Sequence, residues 1–208
     1  MSLSLDLTML PGSSYLPRPE FFAPGNNPGD ERRGAWDILG TYYPSIGIIV
    51  LYEDEIMKSA RNISPQKPER VYPVIRELVR LHEHAHAYIH TSVINMHDKW
   101  KPVKPGWFDR LPIDVSESLA EYVVVTLLES SSVYNSWLNV FFYVDYKTPP
   151  YYQKWKRARN LTRDTFCISP IVGFCRTGTW NDWDDFYNIL SDEKGHINDL
   201  AVMHRMTQ

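Results

Sequence analysis

Residues 80–90 read RLHEHAHAYIH and hold four of the chain's seven histidines, with one carboxylate, Glu83, among them. His82 and His86 are four apart. On a helix they share one face about one turn from each other, so both imidazoles can reach a single ion. Neutral imidazole binds zinc at about 2.0–2.1 Å. Glu83 is the neighbour of His82 and points to the side of that face. It can therefore hydrogen-bond a metal-bound water instead of holding the metal itself. Such a water has its pKa lowered towards about 7, and an adjacent carboxylate can take its proton as it attacks a carbonyl. The pattern H-E-x-x-H thus predicts a hydrolytic metal site with His82 and His86 as ligands and Glu83 as general base.

The remaining histidines sort by helical geometry. His84 lies about 200° round the helix from His82 and is expected on the surface. His90 lies roughly 12 Å along the axis from His82, too far for three imidazoles to converge, and is expected to be a half-buried end to the stripe. A third ligand must come from elsewhere. The segment SESLAEY offers Glu117 and Glu121, again four apart. Glu117 has the residue type for a His/His/Glu set, with His97 and Asp98 as rivals. Glu117 also fits a second role. Asp114 and Glu117 have the D-x-x-E spacing of a capping box, and both roles need a carboxylate there. Glu121, one turn on, is placed to accept the other ring N–H of a ligand imidazole and fix its tautomer. Tyr122, His196 and His204 have the donor chemistry to stabilise developing negative charge. A third histidine for the metzincin pattern is absent, because position 92 is Ser92.

These residues need a scaffold. From Pro73 to about Met96 apolar residues recur at spacings of three and four, which predicts a helix beginning at Pro73. Ile46 to Tyr52 is the clearest strand. A second helix opens at Asp114 and runs through DVSESLAEYVVVTLLES, with Leu119, Val123, Thr126 and Leu127 as its buried stripe. Further helices are expected in PPYYQKWKRARNL and NDWDDFYNIL. The Pro/Gly/Asn-rich residues 1–35 read as an irregular N-terminal arm, and 36–208 as one domain. The whole predicts an α+β protein: a small mixed sheet, an active-site helix and further packed helices.

Composition narrows the setting. The chain has 208 residues, a formal charge of -3 and no long apolar run. No basic excess points to nucleic acid or to an anionic membrane surface. The N-terminus lacks a basic n-region and carries Asp6 where an apolar h-region is expected, so the expectation is a cytoplasmic protein. Cys167 and Cys175 permit one small loop disulfide without requiring it.

On these residues the chain resembles gluzincin-type zinc metallopeptidases. The shared features are H-E-x-x-H on one helix and a glutamate from the following helix in an E-x-x-A-E-Y setting. HEHAHAYIH also has the H-E-x-x-H-x-x-x-H form of the ImmA/IrrE-like family, and ESLAEYVVVTLL follows that family's helix in register, with Val123 and Val124 where Phe-Ala is usual. His84-Ala85 replaces the usual Leu-Gly. The resemblance spans roughly residues 45–130. It implies a zincin-like fold, Zn²⁺ held by His82, His86 and Glu117, Glu83 as base, and a peptide or protein substrate laid along an edge strand, best matched by Gly47–Tyr52. The alternative expectation is a zincin-like sensor or partner-binding domain with little or no turnover.

Overall fold

The computed structural model describes residues 16, 18–23, 39–91, 106–148, 153–161 and 167–206. Three strands form one mixed sheet: β1 (Glu20–Ala23), β2 (Gly40–Tyr43) and β3 (Ile48–Tyr52). Their order is β1-β3-β2, with β1 parallel and β2 antiparallel to β3. The helices are α1 (Glu53–Ile63), α2 (Pro68–Thr91), α3 (Ile113–Ser130), α4 (Leu138–Tyr146), α5 (Trp155–Leu161), α6 (Ile168–Thr177), α7 (Trp183–Asp192) and α8 (Lys194–Met206). The described part of the chain is therefore mostly helical with a small mixed sheet, an α+β arrangement.

The sheet follows from alternation. Ile49 and Leu51 of β3 are fully buried, while Ile48 and Val50 are partly exposed. Successive strand residues point to opposite faces, so Ile49 and Leu51 face the helices together with their cross-strand partners Tyr42 and Gly40. Residues 44–47 close the hairpin from β2 to β3. Gly47 has φ 66°, the left-handed conformation that glycine adopts at least cost. β3 lies in the middle of the sheet, so the expected edge strand at residues 47–52 is not an edge. Among the described residues the two edges are β1 and β2, and it is β2 that lines the cavity described below. Part of the N-terminal arm is also regular: Glu20–Ala23 are hydrogen-bonded into the sheet as β1.

α2 packs on the sheet with one side and on α3 with the other. Consequently residues 81–89 are all buried, with no solvated face in that stretch. The helix starts at Pro68, where the missing N–H costs nothing, and carries Pro73 inside it. This corrects the start expected at Pro73. α3 is buried at nearly every position from Val115 to Leu128, because α4, α5 and α7 cover the sides that α2 does not. Its expected single stripe is therefore one part of a fully buried surface. The expected helices late in the chain are present as α5 and α7; residues 149–152 lie outside the described set. α1, α4, α6 and α8 complete the helical layer. Cys167 and Cys175 are buried free thiols, so the loop disulfide is not formed. Among the described residues no helix is long and apolar enough to cross a membrane.

Gly40 sets how closely β2 approaches α2. A Cβ there would lie 2.7 Å from Val79 Cγ1 and 3.0 Å from Glu83 Cγ. Val79 is a stiff β-branched residue in the core and cannot swing aside. Gly40→Ala is expected to destabilise the fold by about 1–3 kcal/mol through overpacking, at about 2–4 °C of Tm per kcal/mol for a chain of this size. Gly195→Ala, in α8 with nothing within 4 Å of the new methyl, should be neutral or raise stability by up to about 1 kcal/mol. Thermal melts of the two variants check this; equal losses would mean that the β2–α2 contact is not tight.

Candidate metal centre

The centre forms where α2 crosses the N-terminal part of α3. His82 and His86 rise from successive turns of α2, and Glu117 faces them from α3. His82 Nε2 lies 3.1 Å from Glu117 Oε2, His86 Nε2 3.3 Å from the same oxygen, and the two Nε2 atoms are 3.1 Å apart. All three side chains are buried. Among the described residues this is the one group of His, Cys, Asp or Glu side chains whose donor atoms converge in this way.

The start of α3 is anchored so that Glu117 points inward. Asp114 Oδ2 accepts hydrogen bonds from Lys154 Nζ and from the backbone N–H of Trp183, each at 3.0 Å. The N-cap residue is Pro112, with no side-chain cap. The capping box expected from Asp114 and Glu117 is not formed; the Glu117 carboxylate is directed at the two imidazoles instead.

Charge and geometry both fit a cation. Burial alone would push the Glu117 carboxyl up in pKa, but His86 and His82 facing it outweigh that and hold it at about 2. Burial lowers the His82 pKa more than Glu117 raises it. The group is therefore an anionic carboxylate with an imidazole that prefers to be neutral, as metal ligation requires. Hydrogen bonds alone serve it badly. If both ring nitrogens carry protons towards Glu117, those two N–H groups crowd each other at 3.1 Å. If either gives up its proton, a buried lone pair faces Glu117. A cation at the centre satisfies all three donors together. Atoms with these separations lie about 1.8 Å from the centre of their triangle, a spacing that would suit an ion bound at about 2.0–2.1 Å from each. The three residues can thus hold a metal ion. His86 Nδ1 lies 3.3 Å from Ser116 Oγ, which orients the ring from its other side.

Glu83 is buried and lines the same cavity of about 170 Å³ as Glu117, His86, Thr41 and Tyr42. A Cβ on Gly40 would sit 3.1 Å from Glu83 Oε1, so the carboxylate rests beside β2. Glu121 is completely buried, one turn beyond Glu117 on α3.

The other histidines have separate duties. His84 is buried, not on the surface as expected, because β1 covers that side of α2; its Nε2 lies 2.5 Å from Glu20 Oε1. Arg80 also reaches Glu20, at 3.3 Å. His90 is half-buried as expected, and its Nδ1 meets Tyr42 Oη at 2.9 Å. Tyr122 is buried in the core, where burial and neighbouring Cys167 raise its pKa strongly, so it does not serve the cavity as a donor. His196 lies on α8. The side chain of His204, and residues His97 and Asp98, lie outside the described set.

Sequence reasoning missed Tyr42, Phe108 and Ser116. Phe108 places its ring edge-on to His86 and tilted over His90, with centroids 6.3 and 5.0 Å away. Nothing in the local pattern of residues 106–110 signals that position, which arises only from folding. Comparison with protein-family profiles, curated proteins and solved structures gives no significant match to this chain.

Purified protein is expected to carry close to one equivalent of a divalent metal. His82→Ala and His86→Ala should each empty the site. Glu117→Gln should weaken binding by at least the roughly 10–100-fold seen when groups around a metal are altered. Elemental analysis with competition against a chelator measures this, and unchanged metal content in both histidine variants would refute the centre.

Proposed function

We propose that this chain is a zinc-dependent peptidase in which Glu83 is the general base. The observation that carries the reading is the position of Glu83. Its side chain shares a cavity with His86 and Glu117, yet it stands beside β2 and outside the converging donors. A pure binding site has no chemical need for a buried carboxylate there.

Two imidazoles and one carboxylate are an established ligand set for catalytic zinc. Zinc bound there would supply Lewis acidity and bring the pKa of a ligated water down towards about 7. The protein's own groups do the rest. Glu83 accepts the water's proton at a carboxylate oxygen and passes it to the departing amine. Ser116 holds the His86 ring from Nδ1. Glu121, buried one turn beyond Glu117, supplies a charge that would steady a ligand imidazole and raise its basicity. β2, the sheet edge bordering the cavity, offers backbone groups to an extended peptide. The zincin-like character of the fold belongs to this proposal. It is supported by the order of β2, β3, the H-E-x-x-H helix and a glutamate-bearing helix after it.

Glu83→Gln is expected to keep metal content and Tm near wild type, because no ligand is lost and glutamine has a similar helix propensity. Hydrolysis of a peptide library, followed by mass spectrometry, should fall by about 10²–10⁴-fold. Equal cleavage by the two proteins would refute the mechanism. Absence of cleavage by metal-loaded wild type would favour a domain that uses the same cleft for binding alone.

A further inference from the structure

The basic run KWKRARN, residues 154–160, leaves none of its four cations unpaired. Each meets a carboxylate on another helix. Lys154 Nζ lies 3.0 Å from Asp114 at the start of α3, and Lys156 Nζ 3.0 Å from Asp145 of α4. Arg157 pairs with Asp184 of α7, and Arg159 with Glu129 near the far end of α3. The backbone beneath these side chains is fixed by burial. Trp155 and Ala158 are fully buried, α5 packs on α3, and Trp155 Nε1 donates to Asp145 Oδ1 at 2.9 Å.

α3 is therefore held from the α5 segment at both ends. The two holding pairs are matched in exposure: 27% and 14% for Lys154 and Asp114, 26% and 20% for Arg159 and Glu129. They differ in distance from the metal centre. Asp114 stands three residues before Glu117, roughly 4.5 Å along the helix axis, whereas Glu129 stands twelve residues after it, roughly 18 Å. Ion pairs at such exposure contribute little to overall stability. The near pair has a local task instead. α3 begins after Pro112 without a side-chain cap, and the N–H groups of Val115 and Ser116 both donate to the Pro112 carbonyl. An uncapped first turn frays unless another group holds it. Asp114 Oδ2 is that group, accepting from Lys154 Nζ and from the Trp183 N–H of α7. Glu117 follows directly on this turn, and its Oε2 must keep its place against His82 Nε2 and His86 Nε2 together. Such sites tolerate displacements of only about 0.5 Å.

We propose that Lys154 is a positioning residue of the metal centre. Through Asp114 it holds the start of α3 where Glu117 can meet the ion, so metal affinity is set in part from outside the site, by the segment that carries α5. Lys154 itself touches none of the three donor side chains. The inference goes beyond the peptidase reading: it rests on the metal centre alone and holds equally for a catalytic or a purely binding site.

Co²⁺ is the probe, titrated into the full chain against a competing chelator and followed by its visible absorption. Lys154→Met should weaken Co²⁺ binding by about tenfold, the lower end of the range for altered groups around a metal. Lys154→Arg keeps the charge and should restore wild-type affinity. Arg159→Met removes the matched pair at the far end of α3 and should leave affinity unchanged, while the metal-free Tm falls by a similar small amount in both methionine variants. Asp114→Asn breaks the near pair from the other side. The double variant Lys154→Met/Asp114→Asn should bind no more weakly than the weaker single variant, because both changes remove one interaction. Unchanged affinity in Lys154→Met, an equal loss in Arg159→Met, or additive losses in the double variant would overturn the positioning role and leave the centre standing. Wild-type protein that binds no Co²⁺ would overturn the centre itself, and the positioning role with it.

Discussion

The structure is organised around three polar atoms that must be satisfied together in the core: His82 Nε2, His86 Nε2 and Glu117 Oε2, each within 3.3 Å of the others. Burying two imidazoles and a carboxylate is costly unless each finds a partner. The partners come from different helices, so the crossing of α2 and α3 is fixed by that requirement as well as by apolar packing. Other features serve this crossing. Asp114 ties the start of α3 to Lys154 and the α7 backbone. Gly40 lets β2 approach α2 closely enough for Glu83 to line the same cavity.

The HEHAHAYIH segment divides its labour by direction around one buried helix. His82 and His86 face α3 and converge on Glu117. His84 turns the other way and holds Glu20 of β1, tying the N-terminal arm to the back of the site helix. His90, one turn on, meets Tyr42 of β2. Four residues of one type thus fasten α2 to three different elements. This also explains why the helix has no solvated face at the motif: each polar side chain has a protein partner in place of water.

The part of the fold that was legible in the sequence is the part written in local periodicity. The strand at Ile48–Tyr52 follows from a β-branched, aromatic-rich run, and α3 from its apolar spacing and acidic start. β1 and β2 escaped notice because four-residue strands carry too little pattern to separate from the irregular segments around them. Pro73 was misread as a helix start because local chemistry allows it, whereas the tertiary contacts of α2 extend the helix back to Pro68 and tolerate the proline inside. His84 was misplaced because a helical wheel gives direction but not what lies in that direction.

By itself the sequence determined the spacing: His82 and His86 one turn apart, Glu83 adjacent, Glu117 in the first turn of a later helix. Helical geometry makes those relations nearly independent of context. Only the tertiary structure decided which role each residue takes. Glu117 can serve as a capping carboxylate or as a ligand, and the anchoring of Asp114 elsewhere turns it inward. β2, and not β3, borders the cavity, because β1 pairs with the far side of β3. Tyr42 and His90 stand 48 positions apart, yet Tyr42 Oη meets His90 Nδ1 at 2.9 Å. No local pattern encodes such a meeting, because it depends on how the sheet and α2 pack as rigid bodies.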